Sequence, residues 1–151
     1  MKENKPRILV VDDDKNILET LRGALEANGY VVDTALNGKE AIQKSKAHVF
    51  NLALLDIKLP DMDGVELLTR MRDTVPKMRK IMLTGYPTVQ NAIEAVNRKA
   101  DAYLVKPVDV TKLLATIEAH LELQREEKMY SEEKVAEFIE TRVKELSTMQ
   151  T

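Results

Sequence analysis

The sequence contains no cysteine. That excludes disulfides, thiolate nucleophiles and cysteine-ligated zinc. Neither GxxxxGK nor GxGxxG occurs, so no loop of either kind cradles a nucleotide phosphate. No run of about 18 apolar residues is present, so nothing reads as a membrane span. The opening MKENKPRILVVDDD has no long apolar run before its acids and does not read as a secretory leader, so a cytoplasmic setting is expected. Nor is there an excess of one charge: the net value is −2, with no global basic surplus to suggest nucleic acid or an anionic membrane.

What remains is an ordinary globular composition, 44% hydrophobic and 32% charged over 151 residues. That suits one domain with a modest extension. Arg7–Asp12 is a short β-branched run, the mark of a strand buried on both faces. Asp14 is placed to cap a helix carrying Ile17, Leu18, Leu21 and Leu25, which stops at Asn28-Gly29. The alternation then repeats. YVVDTA, NLALLD, KIMLT and AYLV read as strands. Helical spacing follows each, at Ala41/Ile42/Ala47, at Val65/Leu67/Leu68/Met71 (stopped before Pro76), at Val89/Ile93/Val96 and at Val110/Leu113/Leu114/Ile117/Leu121. Five strand–helix units in strict order predict an α/β fold with a parallel sheet covered on both faces, because parallel crossovers need about a dozen residues.

In such sheets ligands sit beyond the carboxyl ends of the strands. Those ends carry Asp12 and Asp13, Asp56, Thr84 and Lys106-Pro107. Each has a plain reading alone: a cap, a turn acid, a strand end, a loop. Together they gather three carboxylates, a hydroxyl and an ammonium at one edge. Packed acids repel, and burial raises their pKa values. A hard divalent cation relieves this, and oxygen donors suit Mg²⁺, with Mn²⁺ a substitute. Lys106 and Thr84 would then serve the remaining oxygens of a phosphoryl group. Such a site works mainly by positioning and charge neutralisation, with a carboxylate as candidate acceptor.

With these residues in place, the sequence resembles the receiver domain of two-component response regulators. The resemblance rests on ILVVDDD, LLDIKLPDMDGVELL, IMLTGYPTVQNAIEAV and ADAYLVKPVD and covers residues 5–124; the third stretch is similar to nitrogen-regulator-type receivers. It implies a flavodoxin-like doubly wound sheet of order 2-1-3-4-5. It also implies that Asp56 is the phosphoacceptor, served by a sensor histidine kinase or a phosphotransfer protein. Asp12, Asp13, Asp56 and the main-chain carbonyl of Lys58 would hold Mg²⁺. Thr84 and Lys106 would contact the phosphoryl group, Thr84 and Tyr103 would form the switch, and the Lys106–Pro107 peptide would be cis. The implied role is a signalling switch that catalyses only its own phosphoryl transfer and autodephosphorylation.

A second class of function is an Mg²⁺-dependent phosphatase with an aspartate nucleophile. Those enzymes usually carry a second acid two residues after the nucleophile, where this sequence has Lys58. A constitutive scaffold would need an incomplete pocket. Residues 1–124 are expected to form the receiver unit and 125–151 a helical extension. After Leu121 the stretch Glu122–Lys134 is almost wholly polar. Val135, Phe138, Ile139, Val143 and Leu146 then share one helical stripe, with Glu132 and Glu133 placed as its first turn and Arg142 and Lys144 as its last. This predicts a sixth helix, separate from the fifth or continuous with it. A coiled coil running on from Leu114, Ile117 and Leu121 is disfavoured, because the next seam positions are Gln124, Lys128 and Ser131. The stripe must pack on its own domain, on a second copy or on a partner. The tail has eight glutamates against five Lys/Arg, a net −3, which argues against direct DNA contact. No output domain is seen after Leu121, so the chain reads either as a stand-alone regulator or as the N-terminal receiver portion of a longer transcriptional regulator.

Overall fold

The computed structural model describes residues 5–71, 74, 77–85, 87–98 and 100–149. Five strands, β1 (Arg7–Val11), β2 (Val31–Ala35), β3 (Leu52–Asp56), β4 (Arg79–Thr84) and β5 (Ala102–Val105), form one parallel sheet of order β2-β1-β3-β4-β5. Between and after them lie α1 (Lys15–Ala27), α2 (Gly38–Ala47), α3 (Gly64–Arg70), α4 (Val89–Asn97) and α5 (Val110–Met149).

Strand periodicity divides the core. Leu9, Val11, Ala53, Leu55 and Met82 point to the side covered by α2, α3 and α4, where Ala41, Leu67, Leu68 and Ala95 meet them. Ile8, Val10, Leu52, Leu54, Ile81 and Leu83 point to the other side, closed by Leu18, Leu21 and Leu25 of α1 and Leu113, Ile117 and Leu121 of α5. Burying both faces of the central strands removes the need for polar alternation, which is why these runs are continuously apolar.

Local chemistry fixes the helix starts. Asp14 caps α1, accepting from the amides of Asn16 and Ile17 at 2.9 and 3.4 Å. Asn37 caps α2 through the amide of Glu40 at 2.8 Å, and Asp63 caps α3 through Val65 at 2.7 Å. Helix α3 ends at Arg70, with Met71 as its C-cap. Pro76, where the sequence places the stop, lies outside the described residues.

Of the two courses open to the tail, the structure takes the continuous one. The polar stretch after Leu121 is not a break, because α5 runs unbroken from Val110 to Met149. The segment is rich in Glu, Lys, Arg, Gln and Met, all good helix formers, and contains no glycine or proline. Ion pairs Arg125–Glu122, Lys134–Glu137 and Arg142–Glu145 lie along it at i,i+3 spacing. Glu132 and Glu133 are therefore mid-helix and not a first turn. Self-docking fails as well: Val135, Phe138, Ile139, Val143 and Leu146 are each between 50% and 69% exposed. A cleft of about 630 Å³ separates Val135 and Ile139 from Thr74 and Lys77.

Where α5 leaves the sheet it is held by polar groups. Gln124 is 3% exposed. Its amide donates to the carbonyls of Asn51 (2.9 Å) and Lys77 (2.7 Å), and its Oε1 accepts from Asn51 Nδ2 at 3.3 Å. Beside it Arg79 reaches Glu127 at 3.2 Å, Asp101 at 3.7 Å and His120 Nδ1 at 3.0 Å.

Candidate functional site

The carboxyl ends of β1 and β3, neighbouring interior strands, bring the acids together. Carboxylate oxygens of Asp12, Asp13 and Asp56 all lie within 4.8 Å of one another. Asp12 and Asp56 are buried at 3% and 8% exposure, and Asp13 faces solvent. Asp12 is set by its amide bond to the carbonyl of Ala35 (3.1 Å), and its Oδ1 accepts from the amide of Asp14 (2.9 Å). Asp56 Oδ1 accepts weakly from the amide of Lys58 at 3.4 Å.

Lys106 closes the cluster from the end of β5. Its Nζ lies 2.5 Å from Asp12 Oδ2 and 3.4 Å from Asp56 Oδ2. Its amide donates to the Thr84 carbonyl at 2.7 Å, which ties it to β4, and the Lys106–Pro107 peptide is cis. Burial raises the Asp56 carboxyl above its ordinary range; Lys106 opposes that rise and Asp12 adds to it. Burial also pulls the Lys106 ammonium down, but its hydrogen bond and attraction to Asp12, and then Asp56, win and hold it above its ordinary value. The shifts agree: one ammonium is shared by two carboxylates, and Asp12 holds the closer position.

Thr84 is fully buried at the end of β4. Tyr103 on β5 stands opposite Met82 and packs against the cluster containing Met82 and Ala95. Its hydroxyl is buried and has no hydrogen-bond partner among the described residues.

The β3–α3 loop supports the site from below. The Gly64 amide donates to the Ile57 carbonyl at 2.6 Å, and Lys58 and Asp63 form an antiparallel bridge. A side chain at Gly64 is excluded, because its Cβ would stand 2.0 Å from the carbonyl oxygen of Asp56. The turn thus folds back onto the strand end that presents Asp56.

The donor set fits a hard divalent cation. It is all oxygen, partly buried and anionic, with an exposed acid on the open side. Sequence reading missed three supporting residues. Gln124 carried a signal, a polar residue three positions after Leu121 on the buried face. Asp61 and Arg79 carried none beyond their charge.

A family model for the response regulator receiver domain matches residues 8–118, and the chain belongs to that family. A CheY-like receiver domain protein from Methanospirillum hungatei JF-1 superposes with a TM-score of 0.79 at 45% identity, covering 82% of this chain and 99% of that one. A response regulator from Burkholderia pseudomallei, solved with a phosphorylated aspartic acid, a calcium ion and citrate, is 33% identical with a TM-score of 0.69, over 83% of this chain and 74% of that one. The transcriptional regulatory protein ZraR of Klebsiella oxytoca is 40% identical over 110 residues, 73% of this chain and 25% of that protein. The chain spans about a quarter of the length of the curated relatives it matches. It is a receiver domain of the two-component response regulator class, a signalling switch by family. No helix among the described residues is long and apolar enough to cross a membrane.

Proposed function

We propose that Asp56 is the phosphoacceptor of this switch, and that a phosphohistidine on a sensor histidine kinase or phosphotransfer protein is the donor. The observation that carries it is the meeting of Asp12, Asp13 and Asp56 within 4.8 Å, with Lys106 between two of them. An Asp56 carboxylate oxygen attacks phosphorus, and the bond from phosphorus to the donor imidazole breaks with its electron pair returning to nitrogen. Burial raises the Asp56 pKa, which makes its carboxylate a more basic nucleophile than an exposed one, and the nearby Lys106 ammonium opposes that rise. Lys106 and the Thr84 hydroxyl meet the phosphoryl oxygens as charge moves onto them. Asp12, Asp13, Asp56 and the Lys58 carbonyl would hold Mg²⁺, or Mn²⁺ in its place. Held there, the cation would supply neutralisation of charge on the transferring group. The calcium ion and phosphorylated aspartate of the Burkholderia relative support this assignment. Hydrolysis of the acyl phosphate at the same site restores the carboxylate. The test is acetyl phosphate with Mg²⁺: the parent gains one phosphoryl mass and Asp56→Asn gains none. Equal labelling of both overturns the assignment.

The receiver unit is residues 1–124 and the output element is the extension 125–151, whose stripe pairs with a second copy of this chain. Ala136, Ile139, Val143 and Leu146 repeat at three–four spacing, with Met129 seven residues before Ala136, Glu132 at the seam position between them, Val135 beside the seam and Phe138 further round. Glu126, Glu133 and Glu140 run along one flank of that seam, and Lys128 and Arg142 along the other. A parallel pair sets Lys128 of one copy against Glu133 of the other, whereas an antiparallel pair sets glutamates against glutamates. Leu146→Cys in this cysteine-free chain should cross-link under mild oxidation, and Ile139→Asp should sediment as a monomer. Absence of cross-linking with a monomeric parent ends the dimer reading. The length of AlgB and ZraR, both transcriptional regulators, favours a second reading, that the chain is the receiver portion of a longer regulator. In either case the acidic tail makes no direct DNA contact.

A further inference from the structure

Asp61 lies in the loop between β3 and α3, five residues after Asp56. Its two carboxylate oxygens accept from the amides of Gly38 (2.8 Å) and Lys39 (2.9 Å), the first two residues of α2. The next amide, of Glu40, is already taken by Asn37. The first turn of α2 is thus closed jointly by its own cap and by an acid from another loop. Met62 follows onto the same spot: a Cβ on Gly38 would stand 2.4 Å from Met62 Sδ. The two amides hold the Asp61 carboxyl below the ordinary range, Gly38 more than Lys39.

The same loop is fixed at its ends to β3 and α3. Gly64 donates to Ile57, Lys58 bridges to Asp63, and Asp63 caps α3. The span from Leu59 to Met62 has no ladder of its own. Its outward anchor is the contact with α2. Lys58, at the head of this span, would supply a main-chain carbonyl to the cation site read above. A loop that is ordered before the cation arrives does not charge its ordering entropy to binding.

We propose that Asp61 is a positioning residue for the cation site. By holding the β3–α3 loop against the first turn of α2, it places the Lys58 carbonyl and so sets the site's affinity for a divalent cation. This rests on reading Asp12, Asp13 and Asp56 as the cation site.

The test uses the full chain and Mg²⁺ alone, followed through the amide signals of residues 56–63. Asp61→Ala should bind Mg²⁺ about 10-fold more weakly, the low end of what losing a supporting partner costs. The amides of Gly38 and Lys39 should exchange faster, and labelling by acetyl phosphate should return to the parent rate once Mg²⁺ saturates. Asp61→Asn keeps one acceptor and the side-chain shape, and should fall between the two. Mg²⁺ affinity within twofold of the parent, with the α2 amides deprotected, reduces Asp61 to a helix cap and overturns the proposal. Weakened affinity with those amides still protected, and with the loss erased by raised salt, assigns the effect to long-range charge and also overturns it. A parent that binds no Mg²⁺ overturns the cation site itself. A parent that binds beside an unaffected Asp61→Ala overturns only the role of Asp61.

Discussion

Lys106 and Asp12 are 94 residues apart in the chain, and their charged atoms are 2.5 Å apart in the fold. This pair, and not Lys106 with Asp56, is the tighter of the two contacts the ammonium makes. The acid proposed to react is therefore the one held more loosely.

Removing the ammonium leaves two buried carboxylates facing each other. Lys106→Ala should lose about 1–3 kcal/mol at neutral pH without Mg²⁺. The loss should shrink as pH falls and the Asp56 carboxyl, raised by burial, takes up a proton. Asp56→Asn acts in the opposite direction. Its folded carboxyl sits above the ordinary range, so the folded protein binds that proton more tightly than the unfolded chain does. Ionising Asp56 costs stability as pH rises from about 4 through the folded value, and the cost persists at neutral pH. Asn, with Lys106 still paired to Asp12, should raise the melting temperature by about 2–4 °C at pH 7. Thermal unfolding of the three proteins between pH 4.5 and 7.5 checks both signs.

Two glycines should respond oppositely to alanine. At Gly64 a Cβ meets the Asp56 carbonyl at 2.0 Å, so Gly64→Ala must push the loop off the strand end. It should cost about 3 kcal/mol or more and displace the amide signals around Asp56. At Gly23, within α1, a Cβ meets nothing within 4 Å. Gly23→Ala should gain about 0.5–1 kcal/mol. Urea titration with unchanged slope measures both.

The buried hydroxyl of Tyr103 has no partner among the described residues. An unsatisfied buried donor costs about 1–3 kcal/mol, so Tyr103→Phe should be neutral to stabilising by about 1 kcal/mol. If Thr84 and Tyr103 form the switch, Thr84→Ala should label more slowly, for want of the hydroxyl that meets the phosphoryl oxygens, and once fully labelled should show a smaller amide shift at α4 than the labelled parent. A full shift in Thr84→Ala disconnects the two.

His120 provides a pH dependence outside the site. A guanidinium only donates, so the 3.0 Å contact with Arg79 requires an unprotonated Nδ1 on His120. Burial first, and then Arg79, lower the His120 pKa. The unfolded chain therefore takes up this proton at a higher pH than the folded protein, and stability falls as pH drops below about 6.5. His120→Gln should flatten the slope between pH 7.5 and 5.5, a difference of about 1–2 °C in melting temperature.

The core and the site were legible because their signals are local. Short apolar runs mark buried parallel strands, four of the five closed by a polar residue (Asp12, Asp56, Thr84 and Lys106), and the sheet order then brings those ends together. The course of α5 was harder to read because its middle has no apolar stripe. Glu122 to Lys134 look like a linker when only burial is considered, yet helix propensity and i,i+3 ion pairs carry the backbone through. Gln124 was misread for the same reason. It looked like a failed seam position, but it fills a core position as a hydrogen-bonding side chain. The role of Asp61 was not legible at all, since it lies in the β3–α3 loop and its partners Gly38 and Lys39 open α2, 23 and 22 residues earlier in the chain.

The Gln124 clamp holds α5 at the point where it leaves the sheet, and so sets a pivot part-way along the helix. Beyond it the helix runs on to Met149, about 37 Å at 1.5 Å per residue, so a rotation of about 10° at the clamp would sweep the tip through about 6 Å. Asn51 and Lys77, whose carbonyls grip Gln124, stand just ahead of β3 and β4, the two strands that end in Asp56 and Thr84. Chemistry at one end of those strands and leverage at the other thus share the same two rails. A displacement too small to register at the sheet would arrive at the tip large enough to bring two seams into register or part them.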